Sequence, residues 1–211
     1  MKTITRFLRT VAIASSVMVS MNAWSQSGQP HSVKASAIFD QVTVQWNAPA
    51  SDIELKWHDD KSYNGMDGLR NDPQGTSVIY AASKFLPSEL AAVAGEKIDA
   101  IAYFQYRNVT NVRVMIYENG KVVRDQPVDV SGFSKNSWKK VTLNDPYTIT
   151  GNAELMFVVR FEHGYNMNFV ANTSRYTHPG KGNWVSYDGK NFTATGNGDF
   201  LITAFIKNSA T

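Results

Sequence analysis

The chain has 211 residues, 21 Lys and Arg against 18 Asp and Glu, and no cysteine. The missing thiol excludes cysteine nucleophiles, thiolate metal sites, disulfide staples and a lipid-modified N-terminal cysteine. Lys2, Arg6 and Arg9 fall in the first 25 residues, so the rest of the chain holds 18 residues of each sign and has a formal charge of zero. That balance offers no basic patch for nucleic acid and little long-range steering of charged ligands.

Residues 1–25 read as a secretory signal peptide. Lys2, Arg6 and Arg9 form the positive segment, a short apolar stretch follows, and Ala23 and Ser25 place small residues ahead of a cut before Gln26. The apolar stretch is too short to span a bilayer. The expectation is an exported protein, periplasmic or extracellular, with no membrane insertion. Residues 26–36 are polar and are expected to be flexible, and residues 37–211 are expected to form one β-sandwich domain.

Residues 41–46 alternate strictly, with Val42, Val44 and Trp46 on one face, as in a half-buried strand. A loop at 57–68 then packs acids, amides, glycines and two aromatics between apolar runs. Further strands are expected at 77–85, 98–105, 112–117, 122–128, 137–143, 155–161, 183–187 and 200–206. Residues 87–94, opened by Pro87 and closed by Gly95, predict one or two turns of helix. Asn119 and Gly120 predict a tight hairpin turn. The stretch at 155–161 is the most apolar after the leader and predicts a central strand. Many short strands, frequent turn signals and one short helix predict an all-β fold, an antiparallel, jelly-roll-like β-sandwich.

Several motifs then line up in order. Val42, Val44, Trp46 and Pro49 fit a V-x-L-x-W-x-A-P ending, and Trp57, Asp59 and Asp60 fit an aromatic–Asp–Asp loop. Phe85, Pro87 and Leu90 fit F-x-P-x-x-L, Ala94, Gly95 and Ile98 fit A-G-x-x-I, and Gly182, Asn183, Asp188 and Gly189 fit a late glycine–asparagine–Asp-Gly segment. Together these resemble a domain common in exported proteins of Bacteroidetes, similar to the jelly-roll adhesin modules of secreted proteases and haemagglutinins. The resemblance implies a β-sandwich used for binding rather than catalysis. His58 and Lys61 depart from the glycine-rich version of the loop.

Candidate sites follow from residue chemistry. Trp57, Tyr63, Tyr165, Trp184 and Tyr187 lie in or beside loops, where aromatic faces stack on sugars or protein surfaces. Asp59, Asp60, Asn64 and Asp67 supply short oxygen ligands in a turn, the material of a structural calcium site. Asp60, Ser62, Asn64 and Gly65 have the 1-3-5-6 spacing of a calcium loop, but the twelfth position counted from Asp60 is Asn71 rather than a bidentate Glu, and the same acids equally suit a corner that caps backbone amides. Glu154 and Glu162 flank the central strand as potential cleft acids, but no G-x-S-x-G or H-E-x-x-H motif occurs. The expected function is a non-catalytic, adhesin-like module that recognises a glycan or protein through loops at one end of the sandwich. The alternatives are an accessory subunit of a surface assembly and, behind it, a glycosidase or peptidase.

Overall fold

The computed structural model describes residues 31–38, 41–47, 52–60, 77–105, 109–134, 136–163, 177–195 and 198–207, the first two segments by backbone alone. The chain divides into two units, residues 1–53 with 207–211, and residues 54–206. In the first unit, β1 (His31–Ile38) and β2 (Gln41–Asn47) pair antiparallel as a two-stranded sheet, with Ala35 opposite Val44 and Ala37 opposite Val42. In β1, Val33, Ala35 and Ala37 alternate with Lys34 and Ser36 at the strand period of two. The strand expected at 41–46 is β2 of this hairpin, and the second unit comprises residues 54–206.

The second unit contains β4 (Ser77–Phe85), β5 (Lys97–Gln105), β6 (Thr110–Glu118), β7 (Lys121–Pro127), β8 (Ser137–Thr148), β9 (Leu155–His163), β10 (Trp184–Ser186), β11 (Thr193–Ala194) and β12 (Ile202–Ile206); the short β3 (Ile53–Leu55) straddles its start. A single helical turn, α1 (Pro87–Leu90), continues as a 3-10 turn at Ala91–Val93. The strands form a six-stranded sheet ordered β11-β10-β4-β9-β6-β7 and a four-stranded sheet ordered β3-β12-β5-β8. With the β10–β11 pair set aside, the remaining strands run first, eighth, third, sixth in one sheet and second, seventh, fourth, fifth in the other. That is the winding of a jelly roll, an all-β antiparallel sandwich.

Sequence pattern explains the layering. The apolar β9 lies between β4 and β6, where its Phe157, Val159 and Phe161 are buried on one face and its Met156 and Val158 on the other. The first set faces the sandwich interior with Ile79 and Ala81 of β4, the register partners of Phe161 and Val159, and with Phe85, whose ring centroid lies 5.4 Å from that of Phe157. The second set shares the outer face with Lys84, Arg160 and Glu162. There Ala82, Met115, Tyr117, Met156 and Val158 form a second apolar cluster, against which Tyr80, Trp184 and Phe192 pack. The hairpin between β6 and β7 turns through Asn119 and Gly120, both at positive φ (48° and 76°), as the Asn-Gly pair predicts. Among the described residues no helix is long and apolar enough to cross a membrane.

Candidate functional site: an outer-face groove

The predicted aromatic residues part company in the structure. Trp57 stacks on Phe85 with ring centroids 5.0 Å apart, and its Nε1–H donates to the Lys84 carbonyl at 2.9 Å. The Lys181 ammonium lies 4.7 Å from the centre of its ring, and the His178 ring centroid is 5.4 Å away. Lys181 also pairs with Glu89, whose carboxylate accepts the Leu86 N–H at the start of α1. Trp57 is therefore a packing element that joins the end of β4 to the turn at 177–182, where Lys84 N–H donates to the Lys181 carbonyl at 2.8 Å.

That turn is anchored from below. Asp199 is completely buried and accepts hydrogen bonds from the His178 backbone N–H at 3.0 and 3.1 Å, as well as contacting His178 Nδ1. Burial raises the Asp199 pKa above the usual carboxylate value, in spite of these partners. Gly182 fits because a Cβ there would stand 2.5 Å from the Asp199 Cβ.

Trp184 lies on the other side of β4. It packs into the outer-face cluster, with the Lys84 ammonium 3.9 Å from its ring centre. The loop that follows folds over the same cluster. Asp188 ties it together, its Oδ1 accepting from Lys190 N–H and Asn191 N–H at 2.8 Å each and from Ser186 Oγ at 2.8 Å. Those donors hold the Asp188 pKa well below the usual carboxylate range. Tyr117 Oη–H reaches the Gly189 carbonyl at 3.0 Å, and Phe192 meets the Tyr117 ring edge-on at 5.5 Å. Tyr187 is exposed, at 39% of its surface. Thus Trp57 and Trp184 bracket Lys84 from opposite faces of one strand, and they do not share one binding surface. Tyr63 and Tyr165 lie outside the described residues.

The acids of the early loop are engaged in protein contacts. Asp60, at φ 63°, pairs with Lys56, which also reaches Glu54 at 2.7 Å. Asp60 Oδ1 lies 3.0 Å from Nδ1 of His58, without hydrogen-bond alignment. The His58 side chain is buried, its Nε2 is 3.0 Å from Thr203 Oγ1, and its ring packs on Trp138 at 5.3 Å. Burial lowers its pKa to about 4, against the opposing pull of Asp60. Asp59 also has a partner in the structure, while Asn64 and Asp67 lie outside the described residues. Among the described residues no three His, Asp or Glu side chains converge as a metal site.

Among the described residues a concavity lies elsewhere, on the polar end of the outer face. It is a groove of about 780 Å³ whose lining includes Tyr80, Arg113, Met115, Asp125, Arg160 and Glu162. Register builds it: Tyr80 on β4 stands opposite Arg160 on β9, which stands opposite Arg113 on β6, which stands opposite Pro127 on β7. Like charges directly across an antiparallel pair repel, and each arginine here has an acid of its own. Arg113 Nε donates to Asp125 Oδ1 at 2.6 Å. Arg160 pairs with Glu162 and donates from Nη1 to the Asn111 carbonyl at 2.6 Å. The Asn111 side chain closes on the same Glu162. Asn111 and Arg160 together hold the Glu162 pKa below the ordinary value. The connection after β7 forms a further wall, where Asp129 Oδ1 accepts the Ser131 N–H at 2.9 Å.

Of the two acids singled out in the sequence, Glu162 lines this groove and Glu154 does not; Glu154 lies 3.4 Å from the Lys84 ammonium. Arg113, Asp125 and Arg160 carry no local motif. The available signal was a charged residue on the otherwise apolar outer-facing positions of β6 and β9. No protein-family profile, curated protein or solved structure matches the chain.

Proposed function

We propose that the protein is an exported, non-catalytic recognition module of the adhesin type, and that its ligand lies in the outer-face groove rather than on the end loops. One observation carries the reading: one concavity of about 780 Å³ gathers two arginines, three acids, an asparagine and a tyrosine, all but Asp129 on four adjacent strands. Sites built on strands hold their groups to narrow tolerances, and a lining that sets fixed polar groups among apolar surface such as Met115 and Pro127 suits binding.

The state of the acids supports binding over hydrolysis. A general acid needs a raised pKa and a glycosidase needs two carboxyl groups with different duties. Glu162 is instead held in its charged form by Asn111 and Arg160, and Asp129 is held there by the amide and side chain of Ser131. Such acids accept hydrogen bonds steadily and, being already ionised, hold no proton to donate near neutral pH.

The test is a binding screen of the folded protein, freed of residues 1–25, against an oligosaccharide array and a panel of extracellular-matrix proteins. Arg113→Gln and Arg160→Gln should each lose the ligand while keeping the melting temperature within a few degrees. A screen blank on both panels, or ligand binding untouched by both changes, would overturn the proposal.

A further inference from the structure

We infer that the groove selects a neutral, hydroxyl-rich sugar, with the Arg113–Asp125 pair clamping two neighbouring hydroxyl groups. This inference rests on the groove being the binding site. It is argued from how the charges are arranged.

The five charged side chains of the lining are two arginines and three acids, all held in place by other groups of the lining. The groove thus has little net field to attract an ion of either sign. An anionic ligand would have to approach Asp125, Asp129 and Glu162, and a cationic one would meet Arg113 and Arg160. What the groove does offer is donors and acceptors side by side. Among the described residues Arg113 spends only Nε on Asp125, and Asp125 accepts through Oδ1. That leaves guanidinium N–H groups next to a carboxylate oxygen. A hydroxyl group both donates and accepts, so two adjacent hydroxyls match such a pair: one accepts from the arginine and the other donates to the acid. Charge-assisted bonds of this kind are strong without needing a charged ligand. Arg160 and Glu162 on the neighbouring strand are instead spent on each other and on Asn111, so they frame the groove beside the clamp. Tyr80, Met115 and Pro127 supply apolar surface for the C–H face of a ring. A protein ligand fits less well, because among the described residues the lining of this open groove carries five charged side chains, whereas the centre of a protein interface is depleted of charge.

The experiment compares three immobilised sets of oligosaccharides, neutral, acidic (uronate or sulfate) and amine-bearing, together with matrix proteins, at low ionic strength and after about a tenfold increase in salt. Neutral glycans should bind, with affinity nearly independent of salt, and free neutral monosaccharide should compete. Arg113→Gln and Asp125→Asn should each weaken this binding by about tenfold or more, the range for a lost charge-assisted bond. Val122→Thr, at an exposed site outside the groove, should leave it unchanged. Binding confined to acidic or amine-bearing glycans and suppressed by salt, or binding to matrix proteins alone, would overturn the inference while preserving the groove as the site if Arg113→Gln still abolishes it. Binding of neutral glycans that Arg113→Gln and Arg160→Gln leave intact would overturn both. Blank panels throughout would also overturn both.

Discussion

The indole N–H of Trp57 is bonded to the backbone carbonyl of Lys84, 27 positions along the chain, while the Lys84 ammonium lies over Trp184 on the opposite face of the strand. Two tryptophans that stand out in the sequence as ligand platforms are thus fastened to one residue of β4. Trp57→Ala removes the stack on Phe85 and leaves the Lys84 carbonyl without its donor. The expected loss is about 3 kcal/mol, toward the lower end of aromatic truncations because the ring is only half-buried. Urea denaturation checks it. A variant as stable as the parent but deficient in ligand would return Trp57 to the binding surface.

Burial of neutral His58 makes stability depend on pH. Its folded pKa of about 4 lies below the unfolded value of 6.5, so the unfolded chain binds the extra proton first. The stabilisation is present above pH 6.5 and is lost as pH falls through the window down to about 4. At about 1.4 kcal/mol per pKa unit, the loss is on the order of 2–3 kcal/mol. Asp199 works in the other direction. Its raised pKa favours the folded state at low pH and costs stability as pH rises above the unfolded carboxylate value of 3.8. Denaturation midpoints from pH 7.5 to 4.5 should therefore fall less steeply in His58→Gln than in the parent; parallel curves would contradict the assignment to His58.

Gly189 permits the loop to lie on the outer face. It sits at φ 70°, and a Cβ would come within 2.9 Å of Tyr80 Cζ. Gly189→Ala should cost about 1–3 kcal/mol through backbone strain and crowding. Because Tyr80 also lines the groove, the same change should weaken ligand binding. Calorimetric melting and binding titration on one sample would show the two losses together.

Asp188 organises that loop through its side-chain oxygens. Asp188→Ala should unfasten the turn and raise amide exchange at Lys190 and Asn191, whereas Asp188→Asn keeps one acceptor oxygen and should retain partial protection. Hydrogen-exchange NMR of the two variants provides the comparison.

Much of the fold was legible because its signals are local. Asn119-Gly120 specifies a turn within two residues, and the apolar run at 155–161 names a strand buried on both faces. The helix after Phe85 follows from Pro87 and Gly95. The candidate site was hidden for the opposite reason. Arg113 and Arg160 become neighbours only through the pairing of β6 with β9, and strand order is decided by distant parts of the chain. The surroundings of Trp184 were hidden too, because alternation predicts the face a side chain takes, while the loop that folds over this face comes from the residues after it and bonds to Tyr117. The hairpin at 31–47 was missed on its first strand because alanine and serine give a weak alternation.

The margin between β7 and β8 is closed by side chains. Gln126 donates to the Thr142 carbonyl at 2.9 Å and accepts the Asn144 N–H at 2.7 Å, and Arg124 donates to the carbonyls of Asp145 and Pro146 at 2.9 and 3.2 Å. Backbone groups of an outermost strand that are already occupied offer no template to an incoming chain. A fibre or surface array that grew by adding a strand along residues 142–146 of β8 would first have to displace the side chains of Gln126 and Arg124.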